Sequence, residues 1–328
     1  MEGFGIMDSK SSGKAGGQVN RAVVLSTLVL LLSIGASDAQ RERRGGRGRQ
    51  SRQQEQIDSK ATVYATADDG TPLKWSVFPA EGPGPHPSVL VIHGGHFATL
   101  PASPNSMRAG RDLAAVGFNA FYVRYRLVEP GSLPGQKSAG RYPDQPNDLK
   151  QAVRAARAFP GGNGKVGAIG GSAGASHVVY LAATGTKGDD RLDAGVGLSG
   201  AYDFVELITK SKRVIQRKIE NYVGSADTEA VRKASPITYV DASVSPLYVV
   251  ASSDETMPPG QLPDLVRKLQ QVGATNFKQL FRENSHQHAF SNWPDIRQEA
   301  LQFLQENLGG PAGPIKLDAP PPRNPSRP

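Results

Sequence analysis

Apolar positions along this chain recur in two ways. Short continuous runs occur at SVLVIHGG (88–95), NAFYVRYRL (119–127), KVGAIGG (165–171), AGVGLSG (194–200) and SPLYVVASS (245–253). Between several of these runs the spacing becomes helical. Leu149, Ala152, Val153, Ala156 and Phe159 share one face of 147–159, and Leu262, Leu265, Val266, Leu269 and Val272 share one face of 261–273. Ile296, Ala300, Leu301, Leu304 and Leu308 form a last amphipathic stripe. Residues 61–80 read as two strands joined by a turn at Asp69-Gly70, and a final strand is expected near 275–282. Continuous apolar strands alternating with helices predict a mostly parallel sheet covered on both faces, over residues 58–310. In such sheets chemistry collects beyond the carboxyl ends of the strands.

The two ends follow a different pattern. Residues 22–36, AVVLSTLVLLLSIGA, are mostly apolar, follow Lys10, Lys14 and Arg21, and precede the small-x-small sequence Ser37-Asp38-Ala39. Residues 1–39 are therefore expected to be a secretory signal peptide cleaved near Ala39, giving a secreted or periplasmic protein without stable membrane insertion after cleavage. The competing expectation is an uncleaved anchor, for which the run is short. Residues 40–57 include RERRGGRGRQSRQQEQ, too polar to offset chain entropy by burial, and are expected to be a basic disordered linker. Residues 311–328 form a Pro-rich tail, expected to be disordered.

Charge and composition then exclude several function classes. The formal net charge of +8 sits mostly at the ends: 41–60 holds seven Lys/Arg against three Asp/Glu. No nucleic-acid partner is expected of the fold itself, although a basic linker could touch an anionic surface. There is no Cys, which excludes disulfides, Cys-ligated zinc, iron–sulfur clusters and thiol nucleophiles.

Chemistry-bearing residues cluster after the runs. Gly170-Gly171-Ser172-Ala173-Gly174 follows one run and opens a helical pattern: G-x-S-x-G in a strand–turn–helix context. Small residues there permit a sharp turn that projects the Ser172 hydroxyl. A serine nucleophile needs a nearby base and a carboxylate to orient that base. His286 and His288 both follow the last strand and are both candidates for the base, whereas His177 lies inside a helix and is expected to pack there. Asp254 is the first acid beyond 245–253; Glu255, next to it, is the alternative. His93-Gly94-Gly95-His96 follows its own run, and without side chains its backbone N–H groups can approach a substrate oxyanion.

The order Ser, acid, His on separate strand ends, with Gly-Gly upstream, resembles the α/β-hydrolase superfamily. In particular it resembles the esterase/lipase group related to hormone-sensitive lipase, in its secreted feruloyl-/acetyl-esterase-like branch. HGGHF (93–97) resembles that group's HGGG-type loop, and Tyr125-Arg126-Leu127 its YRL. Pro143-Asp144 with Asp148 resembles the start of its pre-nucleophile helix, and GGSAGA (170–175) its GxSAGG. GLSGAYD (197–203), ASPI (234–237) and HAF (288–290) match later landmarks. The resemblance implies an α/β-hydrolase fold with a small cap insertion in 201–240. It implies Ser172 as nucleophile and favours His288 over His286 as base, with Asp254, the first acid past its strand, expected as the carboxylate. It also implies the amides of Gly95, His96 and Ala173 as oxyanion donors. His96 stands where the family has glycine, and its ring is expected to narrow the acyl pocket. The expected activity is hydrolysis of short-acyl esters, small-molecule or on acetylated or feruloylated polysaccharide, with no metal or organic cofactor. A peptidase of the same fold, or a silent binding module, are the competing expectations.

Overall fold

The computed structural model describes residues 61–310 except 102, together with 315 and 317. All of them belong to the unit Gln54–Pro328. The expected signal segment, the basic linker and nearly all of the tail lie outside the described residues.

Eight strands form one sheet: β1 (Thr62–Thr66), β2 (Pro72–Phe78), β3 (His86–Ile92), β4 (Asn119–Val123), β5 (Gly162–Gly171), β6 (Ala194–Leu198), β7 (Leu247–Ser252) and β8 (Phe277–Arg282). The spatial order is β1-β2-β4-β3-β5-β6-β7-β8. β2 pairs antiparallel with β1 and β4, and every other neighbour is parallel. This is the mostly parallel sheet that the continuous apolar runs predict. Ile92 pairs with Gly170, Gly171 with Leu198, and Leu198 with Val250. The carboxyl ends of the central strands are thus level, and the loops that leave them meet.

Successive strand residues face opposite sides of a sheet. Leu90, Ile92 and Ala168 face one side, with α2 (Asp144–Arg157), α3 (Ala173–Ala183) and α7 (Gln261–Gln271). Val89, Val91 and Ile169 face the other, with α1 (Pro104–Ala115) and α8 (Trp293–Leu308). The sequence signal for α1 lies at its start: Ser103 accepts a hydrogen bond from the Ser106 amide, and Pro104 stands at the first helical position. The insertion after β6 folds into three short helices, α4 (Phe204–Lys210), α5 (Arg213–Val223) and α6 (Thr228–Ala234). Asp203 and Asp227 cap α4 and α6. Phe204, Leu207, Ile219, Tyr222 and Val231 bury their apolar face around Phe97.

Two polar networks hold the loop ends in place. The first ties the loop after β4 to α2. Asp148, fully buried, accepts from the Arg126 amide at 2.9 Å, from Nη2 at 2.8 Å and from Nε at 3.0 Å. The remaining guanidinium nitrogen reaches Asp68 at 2.6 Å and Asp69 at 3.1 Å, which draws in the β1–β2 turn. Removing one member of a buried pair leaves an uncompensated charge.

The second network holds the loop after β3. Gln145, also fully buried, donates from Nε2 to the Phe97 carbonyl at 2.7 Å. Its Oε1 accepts from His177 Nε2 at 3.0 Å. His177 is therefore a packing histidine, as its position inside a helix implies. Burial pushes its pKa down to about 3, with the neighbouring His93 adding to the shift. His93 is fully buried as well, stacked on Tyr125 at 4.4 Å, and burial lowers it to about 4.

Two outcomes are expected. Asp148→Asn lowers unfolding free energy by about 3 kcal/mol; urea titration checks this, and a loss under 1 kcal/mol contradicts the role given to the pair. The buried imidazoles make stability depend on pH. Both are neutral when folded and take up a proton when unfolded below about 6.5. Their contribution is intact above that pH and is lost as the pH falls toward about 4 for His93 and about 3 for His177. Urea unfolding at several pH values should show this slope, and His177→Gln should flatten it. An unchanged slope would contradict the burial argument.

Candidate active site

The turn between β5 and α3 is made by backbone crowding. Ser172 has φ 55° and ψ −123°, a region costing a non-glycine residue about 1–3 kcal/mol. Its amide donates to the Leu198 carbonyl at 2.8 Å, and its carbonyl accepts from the Ala175 amide at 2.9 Å. The flanking glycines are required by proximity: a Cβ on Gly170 would collide with the Gly174 carbonyl, and one on Gly174 with the Ile92 carbonyl. Ser172 is thereby set at the mouth of the sheet, about 8% exposed.

The loop after β3 lies against this turn. A Cβ on Gly94 would sit 2.7 Å from the Gly171 carbonyl and 3.0 Å from the Ser172 Cβ. Three successive residues then adopt positive φ: Gly95 at 106°, His96 at 55° and Phe97 at 65°. The Gly95 carbonyl accepts from the amides of Ala98 and Thr99, which closes the bend. The Phe97 ring locks its end, stacked on Tyr222 at 3.9 Å. The amides of Gly95 and His96 belong to this bend, and that of Ala173 opens α3 directly after Ser172.

The loop after β7 corrects the choice of carboxylate. His288 Nδ1 donates to Glu255 Oε2 at 2.6 Å, and Glu255 Oε1 accepts from the Ser252 amide at 2.8 Å. The Glu255 side chain is 1% exposed. Asp254, expected to orient the base, does not meet His288. It is exposed, and its carboxylate accepts from the Ser253 hydroxyl at 3.0 Å. The reason is the turn. β7 ends at Ser252, and the chain turns outward at Asp254, whose amide bonds the Ser285 carbonyl. Glu255 follows the bend, and its longer side chain returns to the strand end.

The same geometry separates the two histidines. His286 is exposed, and its Nδ1 lies 3.1 Å from the Asp254 carbonyl. His288 lines the cleft with Ser172. Its loop is fixed by two groups that carry no motif. Ser199 Oγ accepts from the Ala289 amide at 2.9 Å. Asn292, fully buried, donates to the carbonyls of Gln287 and Ala289 at 3.1 and 3.2 Å.

These loops and the helical insertion enclose a cleft of about 830 Å³. Ser172, His288, Glu255 and His96 stand at its base, and Leu207, Ile215 and Met257 supply apolar wall. His96 is exposed at the cleft. Its pKa is lowered, chiefly by desolvation and also by the charges of Lys218 and His288. Among the described residues, no group of three or more His, Asp or Glu is placed to hold a metal ion.

An ionised Glu255 can only accept, so the proton on the shared bond belongs to His288 Nδ1 and the Nε2 lone pair is free. The arrangement can therefore deprotonate a hydroxyl in the cleft and stabilise the imidazolium that results. Backbone amides in the turns beside the strained serine can receive an oxyanion.

Comparison with known proteins bears on the fold and the family. The BD-FAE family model matches residues 77–269. The curated probable carboxylic ester hydrolase LipM of Mycobacterium tuberculosis is 25% identical over 208 residues, 58% of this chain and 46% of that protein. The chain thus spans less than half the length of that relative. Among solved structures, the acetyl ester-xyloside bifunctional hydrolase of Caldicellulosiruptor lactoaceticus is similar with a TM-score of 0.61 at 14% identity, covering 75% of this chain and 95% of that one. A carbohydrate esterase from gut microbiota, in truncated form, gives 0.62 at 17% identity, covering 76% and 95%. The thermophilic esterase Est2 of Thermogutta terrifontis gives 0.58 at 17% identity, covering 75% and 91%. The family match extends from β2 into α7 and so includes Ser172 and Glu255, and the chain belongs to the BD-FAE family of α/β-hydrolase esterases.

Proposed function

We propose that this protein is a serine carboxylic ester hydrolase acting on short-acyl esters, in the acyl-enzyme manner. The observation that carries the reading is the Glu255–His288 pair lining one cleft with a serine held in a strained turn. Ser172 attacks the ester carbonyl as His288 Nε2 takes its proton. Glu255 holds the ring in the required tautomer and balances its positive charge. The amides of Gly95, His96 and Ala173 receive the oxyanion. The tetrahedral intermediate collapses, and His288 returns the proton to the leaving alcohol. Water, deprotonated by His288, then attacks the acyl group and regenerates Ser172.

The substrate reading follows from the walls. The His96 ring, in place of a third glycine, occupies space beside the oxyanion amides. The helices α4 and α5 form a modest cap, not a broad apolar lid. Both favour a small acyl group such as acetyl. Two neighbours named as an acetyl ester-xyloside bifunctional hydrolase and a carbohydrate esterase support an ester borne on polysaccharide. A feruloyl ester is a second candidate. The apolar run before Ser37-Asp38-Ala39 supports action outside the cytoplasm.

Hydrolysis of p-nitrophenyl esters from acetate to palmitate tests the reading. Activity should be highest on acetate or butyrate and fall by about 1000-fold or more in Ser172→Ala. Activity that survives this substitution would overturn it. The choice of carboxylate is tested separately. Glu255→Gln should lower kcat about 100-fold or more, because the ring loses its tautomer and its counter-charge. Asp254→Asn should stay within about threefold, as expected of an exposed side chain. The reverse ranking would restore Asp254 as the partner of His288.

A further inference from the structure

We propose that Lys218 makes the cleft selective for esters that carry an anionic oxygen group, a carboxylate or a sulfate, near the scissile bond. The inference rests on the hydrolase reading above and adds a substrate class to it. Lys218 lies on α5 between Ile215 and Ile219, and all three line the cleft that holds Ser172 and His288. It is half-buried, unlike Lys212 at the start of the same helix, which also lines the cleft but is exposed.

Of the other charges around this wall, Lys212 is exposed, and Arg213, Lys210, Glu206 and Glu255 are matched. Arg213 donates to Glu220 at 2.6 Å. Lys210 lies 3.8 Å from Glu206, which also accepts from Gln261. Glu255 is engaged by His288. No carboxylate among the described residues pairs with Lys218. Three lysines therefore face the cleft against two carboxylates, both occupied.

The surroundings strengthen that excess. Phe97, Leu207, Ile215 and Met257 make much of the wall apolar, and apolar walls focus the field of a cation. Burial already disfavours the Lys218 charge and lowers its pKa, while its field reaches the His96 ring beside the oxyanion amides. An anion brought by the ligand would offset that desolvation. A neutral ester would leave the ammonium without a partner. Position in the cleft, partial burial and absence of a pair together distinguish Lys218 from a solvated surface lysine. Acidic carbohydrates, with either uronic carboxylates or sulfate esters, carry such groups.

The test uses three acetate esters on the full chain: 4-acetoxybenzoate, 4-acetoxybenzenesulfonate and the neutral methyl 4-acetoxybenzoate. Comparing variant with wild type on each ester cancels their intrinsic reactivities. In Lys218→Met, kcat/KM should fall about fivefold more on the anionic esters than on the neutral one, equivalent to about 1 kcal/mol. Lys218→Arg should keep the preference, and added salt should narrow it in wild type. Selective loss on the carboxylate alone would assign a uronate-like group, and on the sulfonate alone a sulfated one. Equal loss on all three esters, or none, would overturn the proposal. If the wild type hydrolyses none of them, the hydrolase reading fails by itself. Equilibrium dialysis of the same esters against Ser172→Ala and Ser172→Ala/Lys218→Met then decides the charge preference. Tighter binding of an anionic ester that depends on Lys218 supports it, and equal binding overturns it.

Discussion

The close approach of two backbone turns is the constraint on which the site depends. The loop leaving β3 and the turn leaving β5 touch where neither can carry a Cβ: Gly94 against Gly171 and Ser172, and Gly174 against the Ile92 carbonyl. That contact fixes the Ser172 hydroxyl relative to the amides beside it. It exists because β3 and β5 are parallel neighbours whose ends are level, with Ile92 opposite Gly170. The strain at Ser172, His96 and Phe97 is held by what surrounds it. The Phe97 carbonyl is taken by Gln145, and its ring by Tyr222 in the cap. Cap packing and the geometry of the proposed oxyanion amides are therefore one problem. A change in α5 that loosens Tyr222 would be felt at the amides of Gly95 and His96.

Much of this was legible in the sequence because burial writes itself into apolar periodicity. The continuous runs identified β3 to β7, the turn at Asp69-Gly70 marked β1 and β2, and the helical stripes located α2, α7 and α8. The Gly-rich turns marked the β3 and β5 ends because close backbone contact allows few other residues. The order of motifs at strand ends pointed to Ser172 and to either His286 or His288, and only the resemblance of HAF (288–290) favoured His288. The carboxylate was not legible in that way. Choosing the first acid after β7 assumes that the chain continues straight, but the bend at Asp254 sends that side chain to solvent and gives the role to Glu255. The one-residue offset is invisible to spacing, since both acids sit at the same strand end.

Other supports left no sequence signal. Gln145, His177, Ser199 and Asn292 act through one or two hydrogen bonds to neighbouring loops and elements, and polar residues in such places match no motif. The imbalance of charge in the cleft is equally hidden. The net charge of +8 belongs mainly to the chain ends, whereas the cleft's character comes from which lysines find a carboxylate and which do not. Pairing is a property of the fold.

The central claim is that Ser172 is activated by the Glu255-oriented His288. Covalent trapping tests it most directly: reaction of the full chain with a fluorophosphonate, followed by intact mass and peptide mapping. The account requires one adduct, on Ser172, forming at a rate that collapses in both His288→Ala and Glu255→Gln. An adduct on another serine, or a rate indifferent to Glu255, would contradict it.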